Sequence, residues 1–437
     1  MVYDHAGLKV TTISQEASDA LEETVLSYLR FGRDVGQKLK LVYSIDSNMF
    51  MAHVLRGYFM LMMGSRRLLA KAMDSLALAE KLEPNISQRE VFHLNALRAW
   101  CGLDLKKTTM HWQQLVDIYP QDALALKMLH YTYFYLGDAS NLRKSVENSW
   151  HFWEANKKSK YYGYLLSLKA FGLEETGEFK VSERLARQAV ELNKLDAWGV
   201  HCVAHTFEMM DNGKNGIGWL NENDQSDNWS NFRYHLKWHK ALFLIEECRY
   251  DEVLSLYDEE INQDTSDEYL DLTNSISLLM RMELNGQKVG DRWQLIKGKI
   301  DDRLDDHLLS FVDTHFMFAL SSVDSAVAGE FLTSISQYIK SHNDTYADVS
   351  KKVGYGLCQA ILFYKTNQFE FALEKLSAIA PDINLIGGSN AQRDIFELVM
   401  IDSCVKLNKK SEVEALINSR LFLRPNNKVS QRILTTL

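Results

Sequence analysis

The sequence predicts an all-α protein, a superhelical stack of roughly ten to twelve helix pairs. Three observations carry this. Apolar residues recur at i, i+3 and i+4 through nearly every segment, and β-branched alternation bounded by turns is almost absent. Helix-ending residues recur along the chain, Pro84 and Pro120 standing 36 positions apart.

The helices read in order from SDALEETVLSYLRFG, NMFMAHVLRGYFMLM, AKAMDSLALAEKL and TTMHWQQLVDIY onward. Only four prolines occur, and each closes an amphipathic run: Pro84, Pro120, Pro381 and Pro425. Proline cannot continue a helix, and a polar residue follows each one. Gly137, Gly177 and Gly286 break the chain between pairs, and Asn193 in AVELNKLDAW takes the place of a proline at an equivalent junction. A helix–turn–helix period of ~34 residues is the tetratricopeptide signature, clearest here in HWQQLVDIYPQDALALKMLHYTYFYLGD. No shift in composition marks a linker, so one continuous domain over residues 1–437 is expected.

Composition bounds the function. Apolar residues make up 46% and charged residues 24%, enough to build a core. A net charge of −9 without a basic stripe excludes a nucleic-acid or anionic-membrane partner. Five scattered cysteines without a CxxC fit reduced thiols. The start MVYDHAGLKVTT lacks the pattern of a secretory signal, and apolar runs such as YFMLMM are too short to span a bilayer. Cytoplasmic residence is the expectation. The acidic runs DEEINQDTSDEYLD and IDDRLDDH read as solvated faces and turns.

The histidines carry the chemistry. WGVHCVAHTFEMM places His201 and His205 four apart with Glu208 three further on, and YHLKWHKALFLIE repeats the spacing with His235 and His239. His201 to His235 is 34 residues, as is His205 to His239, so the pairs occupy equivalent positions on the first helices of successive repeats. Thirteen histidines in 437 positions give about 0.4 such pair by chance. On the concave side, four imidazoles and the Glu208 carboxylate would share one space and suit a divalent metal, zinc or iron. Histidines that simply hydrogen-bond within a polar groove are the plainer alternative. No HExxH occurs, which removes the ordinary zinc-protease reading, and no nucleotide cofactor is expected.

Other residues could serve the same groove. Asp313 and His315 in SFVDTHFMFAL are acid–base candidates, though two positions apart they cannot share a helical face, and His307 lies shortly before them. His130 sits in an aromatic helix as a substrate-binding candidate or as packing. In LIGGSNAQRD, Ser389 and Gln392 have capping-box spacing, and Ser389, Asn390, Arg393 and Asp394 could hold a carboxylate at a helix start. Trp198, Trp219, Trp229 and Trp238 surround the histidine pairs and would exclude water.

DAWGVHCVAHTFEMM, YHLKWHKALFLIEECRYDEVLSLYD, ALALKMLHYTYFYLGD, VDTHFMFAL and LIGGSNAQRD together resemble the tetratricopeptide repeat protein 38 family, over almost the full chain. The resemblance implies an α-superhelical fold and brings no catalytic assignment. Two functions compete. One is a metal-dependent or acid–base enzyme, hydrolase-like, acting on a small polar substrate with Glu208, Asp313 and His315 as catalytic groups. The other is a scaffold binding a peptide or protein in the groove. The histidine-rich groove lacks the Lys, Arg and Asn clamp of acidic-peptide adaptors, which favours the first. Oligomerisation is left open.

Overall fold

The computed structural model describes residues 1–262, 266 and 268–435. Part of the acidic run DEEINQDTSDEYLD, residues 263–265 and 267, lies outside the described residues, as do 436–437. Helix accounts for 76% of the structure. Consecutive helices pack in pairs joined by tight turns, the unit of a tetratricopeptide-like fold. Among the described residues the only sheet is a two-stranded antiparallel ribbon, Val2–Tyr3 with Lys9–Val10. No described helix is long and apolar enough to cross a membrane.

The punctuation works as its chemistry dictates. Pro120 and Pro425 stand beyond the helices Leu105–Ile118 and Lys410–Leu423, while Pro84 and Pro381 begin 3-10 segments that end the preceding α-helices. Gly137, Gly177 and Gly286 have φ of 65°, 88° and 75°, the left-handed conformation that a side chain would strain.

The chain divides into two compact units, Met1–Cys202 with Gln225–Arg233, and Val203–Asp224 with Tyr234–Leu437. The division falls inside the continuous helix Ala197–Met209, where no change of composition could announce it.

In the first unit, helices such as Phe50–Met62 with Arg66–Glu80 and Gln88–Cys101 with Leu105–Ile118 pair in sequence. Its core includes Tyr58, Trp100 and Trp112, all buried. Trp112 Nε1 donates to the Tyr58 hydroxyl at 3.1 Å, and that hydroxyl donates to the His93 carbonyl at 2.9 Å, so the polar ends of large rings are satisfied inside the core. The segment Gln225–Arg233 packs into this unit: Trp229 Nε1 donates to the Leu195 carbonyl at 3.0 Å, and Phe232 stacks on Phe31 at 4.1 Å.

In the second unit, Tyr269–Leu284 pairs with Arg292–Ile300, Ser310–Val323 with Ser325–Ser341, Tyr355–Lys365 with Phe369–Ile379, and Asn390–Lys406 with Lys410–Leu423. The helix Gly213–Glu222 approaches Phe243 so closely that a Cβ on Gly216 would lie 2.3 Å from the Phe243 ring. Only glycine permits that approach, and Phe243 lies one turn beyond His239 on its helix.

Candidate functional site

His205 and Glu208 project from the helix Ala197–Met209, and His235 and His239 from Phe232–Glu246. His205, His235 and His239 each offer a ring nitrogen, and these atoms lie within 4.8 Å of one another. The three residues are 0%, 3% and 0% exposed. The ring centroids of His205 and His239 are 4.5 Å apart, those of His235 and His239 4.8 Å. Trp238 stacks on His235 at 5.3 Å with planes only 12° apart, which fixes that ring in its plane.

Two of the imidazoles are oriented by oxygens. Nδ1 of His239 is 3.0 Å from Glu208 Oε2, and Nδ1 of His235 is 3.2 Å from Asn274 Oδ1. An oxygen acceptor assigns the proton of each neutral ring to Nδ1, which donates it, and leaves the lone pair on Nε2. Burial holds His235 well below the usual imidazole range, with His239 and His205 adding to the effect. Burial does the same to His239, helped by His205 and Arg281. Both rings are therefore neutral near pH 7, the form that binds metals.

Glu208 joins this cluster to a charged network. Burial pushes its carboxyl up, with Arg424, His205 and Arg281 pulling it back. Arg424 donates from Nη2 to the Glu208 carbonyl at 2.7 Å and pairs with Asp211 at 2.9 Å and Glu246 at 3.4 Å. The Glu246 carboxyl is pushed up to about 8, burial outweighing Arg424. Asp394 bridges Arg281 at 3.1 Å and Arg420 at 2.7 Å. A recess lined by Glu208, Glu246, Arg281, Asn285, Arg424 and Asn427 opens beside these groups.

The register of the histidines thus emerges in three dimensions, but not on an open groove face: His205, His235 and His239 are core residues, enclosed because packing surrounds their helices. His201 stands one turn before His205 on the same helix and belongs to the first unit, where its ring lies 4.8 Å from Trp198, 5.1 Å from Phe232 and 5.7 Å from Phe171. His130 is also in the first unit, fully buried, with Nδ1 donating to the Leu142 carbonyl at 3.1 Å.

Asp313 and His315 make separate contacts. Both carboxylate oxygens of Asp313 are 3.3 Å from Nδ1 of His307, whose Nε2 is 2.8 Å from Ser334 Oγ. His315 donates from Nδ1 to the Phe311 carbonyl at 2.7 Å, and burial lowers its pKa to about 4. Ser389 and Gln392 form the capping box that their spacing predicts. Arg393 turns back to the carbonyls of Gly387 and Gly388 and to Asn390 Oδ1 at 2.8 Å. Of the LIGGSNAQRD residues, Asp394 enters the arginine network described above, and the Ala391 carbonyl accepts from Arg281 Nη2 at 2.8 Å.

Asn274, Arg281, Arg420, Arg424, Asp211 and Glu246 carry much of the site's polarity without having stood out in the sequence. Asn274 follows His239 by 35 positions, one repeat length and one residue, which is the signal that could have found it. Arg424 follows Glu208 by 216, and nothing local marks the pair.

No family model matches the chain. It is similar to the solved structure of Rap protein complexed with competence and sporulation factor, at 11% identity over 83% of this chain and 100% of that one, TM-score 0.45. Yeast Tom70 shows 13% identity over 96% and 87%, TM-score 0.39. The P58(IPK) TPR domain shows 13% identity over 91% and 88%, TM-score 0.21. Likenesses this loose carry no argument, and the fold rests on the chain's own helix pairs.

Proposed function

We propose that the chain is a helical-repeat binding protein whose second unit holds one divalent transition metal, zinc or iron, on His205, His235 and His239. One observation carries this reading: three buried imidazoles converge within 4.8 Å, and two have Nδ1 committed to an oxygen of Glu208 or Asn274. That pairing sets the tautomer and raises the basicity of Nε2, as is usual for histidines that ligate metals. The donor set, imidazole nitrogens on rigid helices, suits zinc or iron better than the hard cations that prefer oxygen. A metal so held supplies Lewis acidity and lowers the pKa of a bound water. The polar recess beside Glu208 favours a small polar substrate, and a hydrolase-like reaction is the chemistry to assay first. Glu208 in this reading orients His239. Membership of the tetratricopeptide repeat protein 38 family is part of the same proposal.

The test is elemental analysis of the purified, metal-reloaded full chain. About one zinc or iron per chain is expected, lost in a His235→Ala/His239→Ala variant that keeps its helical circular dichroism. A wild-type chain that takes up neither metal ends the proposal.

A scaffold for a peptide or protein is the second reading, favoured by Phe422 and Leu423, which end the Lys410–Leu423 helix 86% and 72% exposed. Its signature is a stoichiometric partner lost on Phe422→Ser/Leu423→Ser while metal content is unchanged.

A further inference from the structure

The first unit contains a recess unrelated to the histidines. It lies where the N-terminal ribbon meets the helices Gln15–Leu29 and Gln88–Cys101 and the start of Ala123–Tyr135, and holds, mouth included, about 450 Å³ of empty space. Three polar atoms that line it are buried and have no hydrogen-bond partner: Ser18 Oγ, Glu22 Oε1 and Arg89 Nε. Their residues are 1%, 4% and 6% exposed. A buried polar group without a partner costs about 1–3 kcal/mol, so three around one cavity mark a place built for an occupant.

The chemistry of that occupant follows from what each atom lacks. Glu22 engages His5 through Oε2 at 2.5 Å and interacts with the Tyr161 hydroxyl, which also lines the recess, while its buried Oε1 still lacks a donor within hydrogen-bond reach. Arg89 engages Asp122 through Nη1 at 2.8 Å, so Nε–H requires an acceptor. Asp4, Glu22 and Asp122 surround the recess with Arg89 as the one guanidinium; His93 sits on Asp122 at 3.1 Å, and Lys160 acts on Glu22 from its surroundings. Burial holds the Glu22 carboxyl above its ordinary range, only partly offset by Lys160 and His5, and burial does the same to Asp4 against Arg89. Among the residues that line the recess, three carboxyl groups thus face one guanidinium. Leu21, Val25 and Met51 supply apolar wall for a short hydrocarbon.

We infer that this recess binds a small primary ammonium compound with a neighbouring oxygen acceptor, the chemistry shared by amino alcohols and α-amino acids. The ammonium donates to Glu22 Oε1 and Ser18 Oγ, and the oxygen accepts from Arg89 Nε. Ordered water is the competing occupant, since two or three molecules could satisfy the same atoms.

The experiment titrates the full chain at neutral pH with ethanolamine and with alanine, against 1-propanol and acetate as controls, by calorimetry and thermal shift. Saturable binding of at least one amine and of neither control is expected. Preference for ethanolamine assigns the amino-alcohol source, and preference for alanine the amino acid. Glu22→Gln, which keeps the shape and removes the charge, should weaken binding about 10- to 100-fold, as loss of a charge-assisted hydrogen bond does. Ser18→Ala should weaken it about 3- to 10-fold and serves alone if Glu22→Gln fails to fold. No binding of either amine, equal binding by the controls, undiminished binding in the folded variants, or a crystal structure soaked with both amines that shows only water would each overturn the inference. None of these residues belongs to the histidine cluster, so the outcome is independent of the metal proposal.

Discussion

Glu208 Oε2 and His239 Nδ1 stand 3.0 Å apart, joining the Ala197–Met209 helix to Phe232–Glu246 through a buried carboxylate–imidazole contact. If that contact orients a metal ligand, Glu208→Gln should leave about one metal per chain at saturation and weaken affinity about 10- to 100-fold. Competition with a chelator of known affinity measures this. Unchanged affinity would show that Glu208 is only a packing partner.

Asp122 predicts an acid-sensitive first unit. Burial by itself would raise its carboxyl, but Arg89 and His93 reverse this and hold it well below the carboxylate range. A depressed folded pKa gives stability that is complete above the unfolded value, near 4, and fades as pH falls toward the folded one. Asp122→Asn should cost about 1.5–3 kcal/mol near pH 7, because it removes the carboxylate hydrogen-bonded to both buried Arg89 and buried His93. The gap to wild type should narrow below about pH 4, as denaturant melts at pH 7 and pH 3.5 can establish.

Lys127 predicts the opposite kind of variant. It is 1% exposed, with Nζ 4.3 Å from the Trp198 ring centre, 5.0 Å from Phe31 and 5.4 Å from Tyr131. Burial lowers its pKa to about 7, with Asp196 resisting. The penalty of holding this amine is absent above the unfolded pKa, near 10.4, and grows as pH falls toward 7. Lys127→Met should therefore raise Tm at pH 7 by about 3 °C or more, and the advantage should shrink toward pH 10. A lower Tm in the variant would mean that the aromatic contacts outweigh desolvation.

Two arginines near the C-terminus should separate cleanly. Arg420 is 6% exposed and lies 2.7 Å from Asp394 and 2.5 Å from Glu397. Arg420→Ala should cost about 1.5–3 kcal/mol because it removes charge-assisted hydrogen bonds to Asp394, which keeps Arg281, and to the part-exposed Glu397. Arg393 holds the neutral carbonyls of Gly387 and Gly388 in its own loop, and Arg393→Ala should cost about 1 kcal/mol for those bonds. Parallel urea melts distinguish the two.

The legible parts of this molecule are those set by local rules or by the repeat. Pro84, Pro120, Pro381 and Pro425 announce helix ends because a missing N–H acts on the adjacent turn. The 34-residue step brings His205 to His239 because equivalent positions on successive first helices are neighbours, and the four-residue spacing adds His235 one turn away. Long-range partners were not legible. Arg424 reaches Glu208 from the far end of the chain, and a guanidinium there looks like any solvated helix end. Arg393 shows the limit within a local motif: Ser389 and Gln392 reveal the cap, but not that the arginine folds back on Gly388. How fully the histidines are enclosed was legible only in part, from the tryptophans that flank them. Spacing tells which face a histidine occupies, and the surrounding packing decides whether water reaches that face.

The path of the backbone between the two units constrains how they can be separated. Because residues 225–233 belong with residues 1–202, the chain passes from one unit to the other three times. A fragment ending at Cys202 would lack Trp229 and Phe232, and with them the indole bond to Leu195 and the ring against Phe31. No single scissile bond can release two complete halves. Dissection by co-expressed pieces should therefore place the break beyond Arg233, and a truncation chosen at the middle of the chain by length alone should yield insoluble protein.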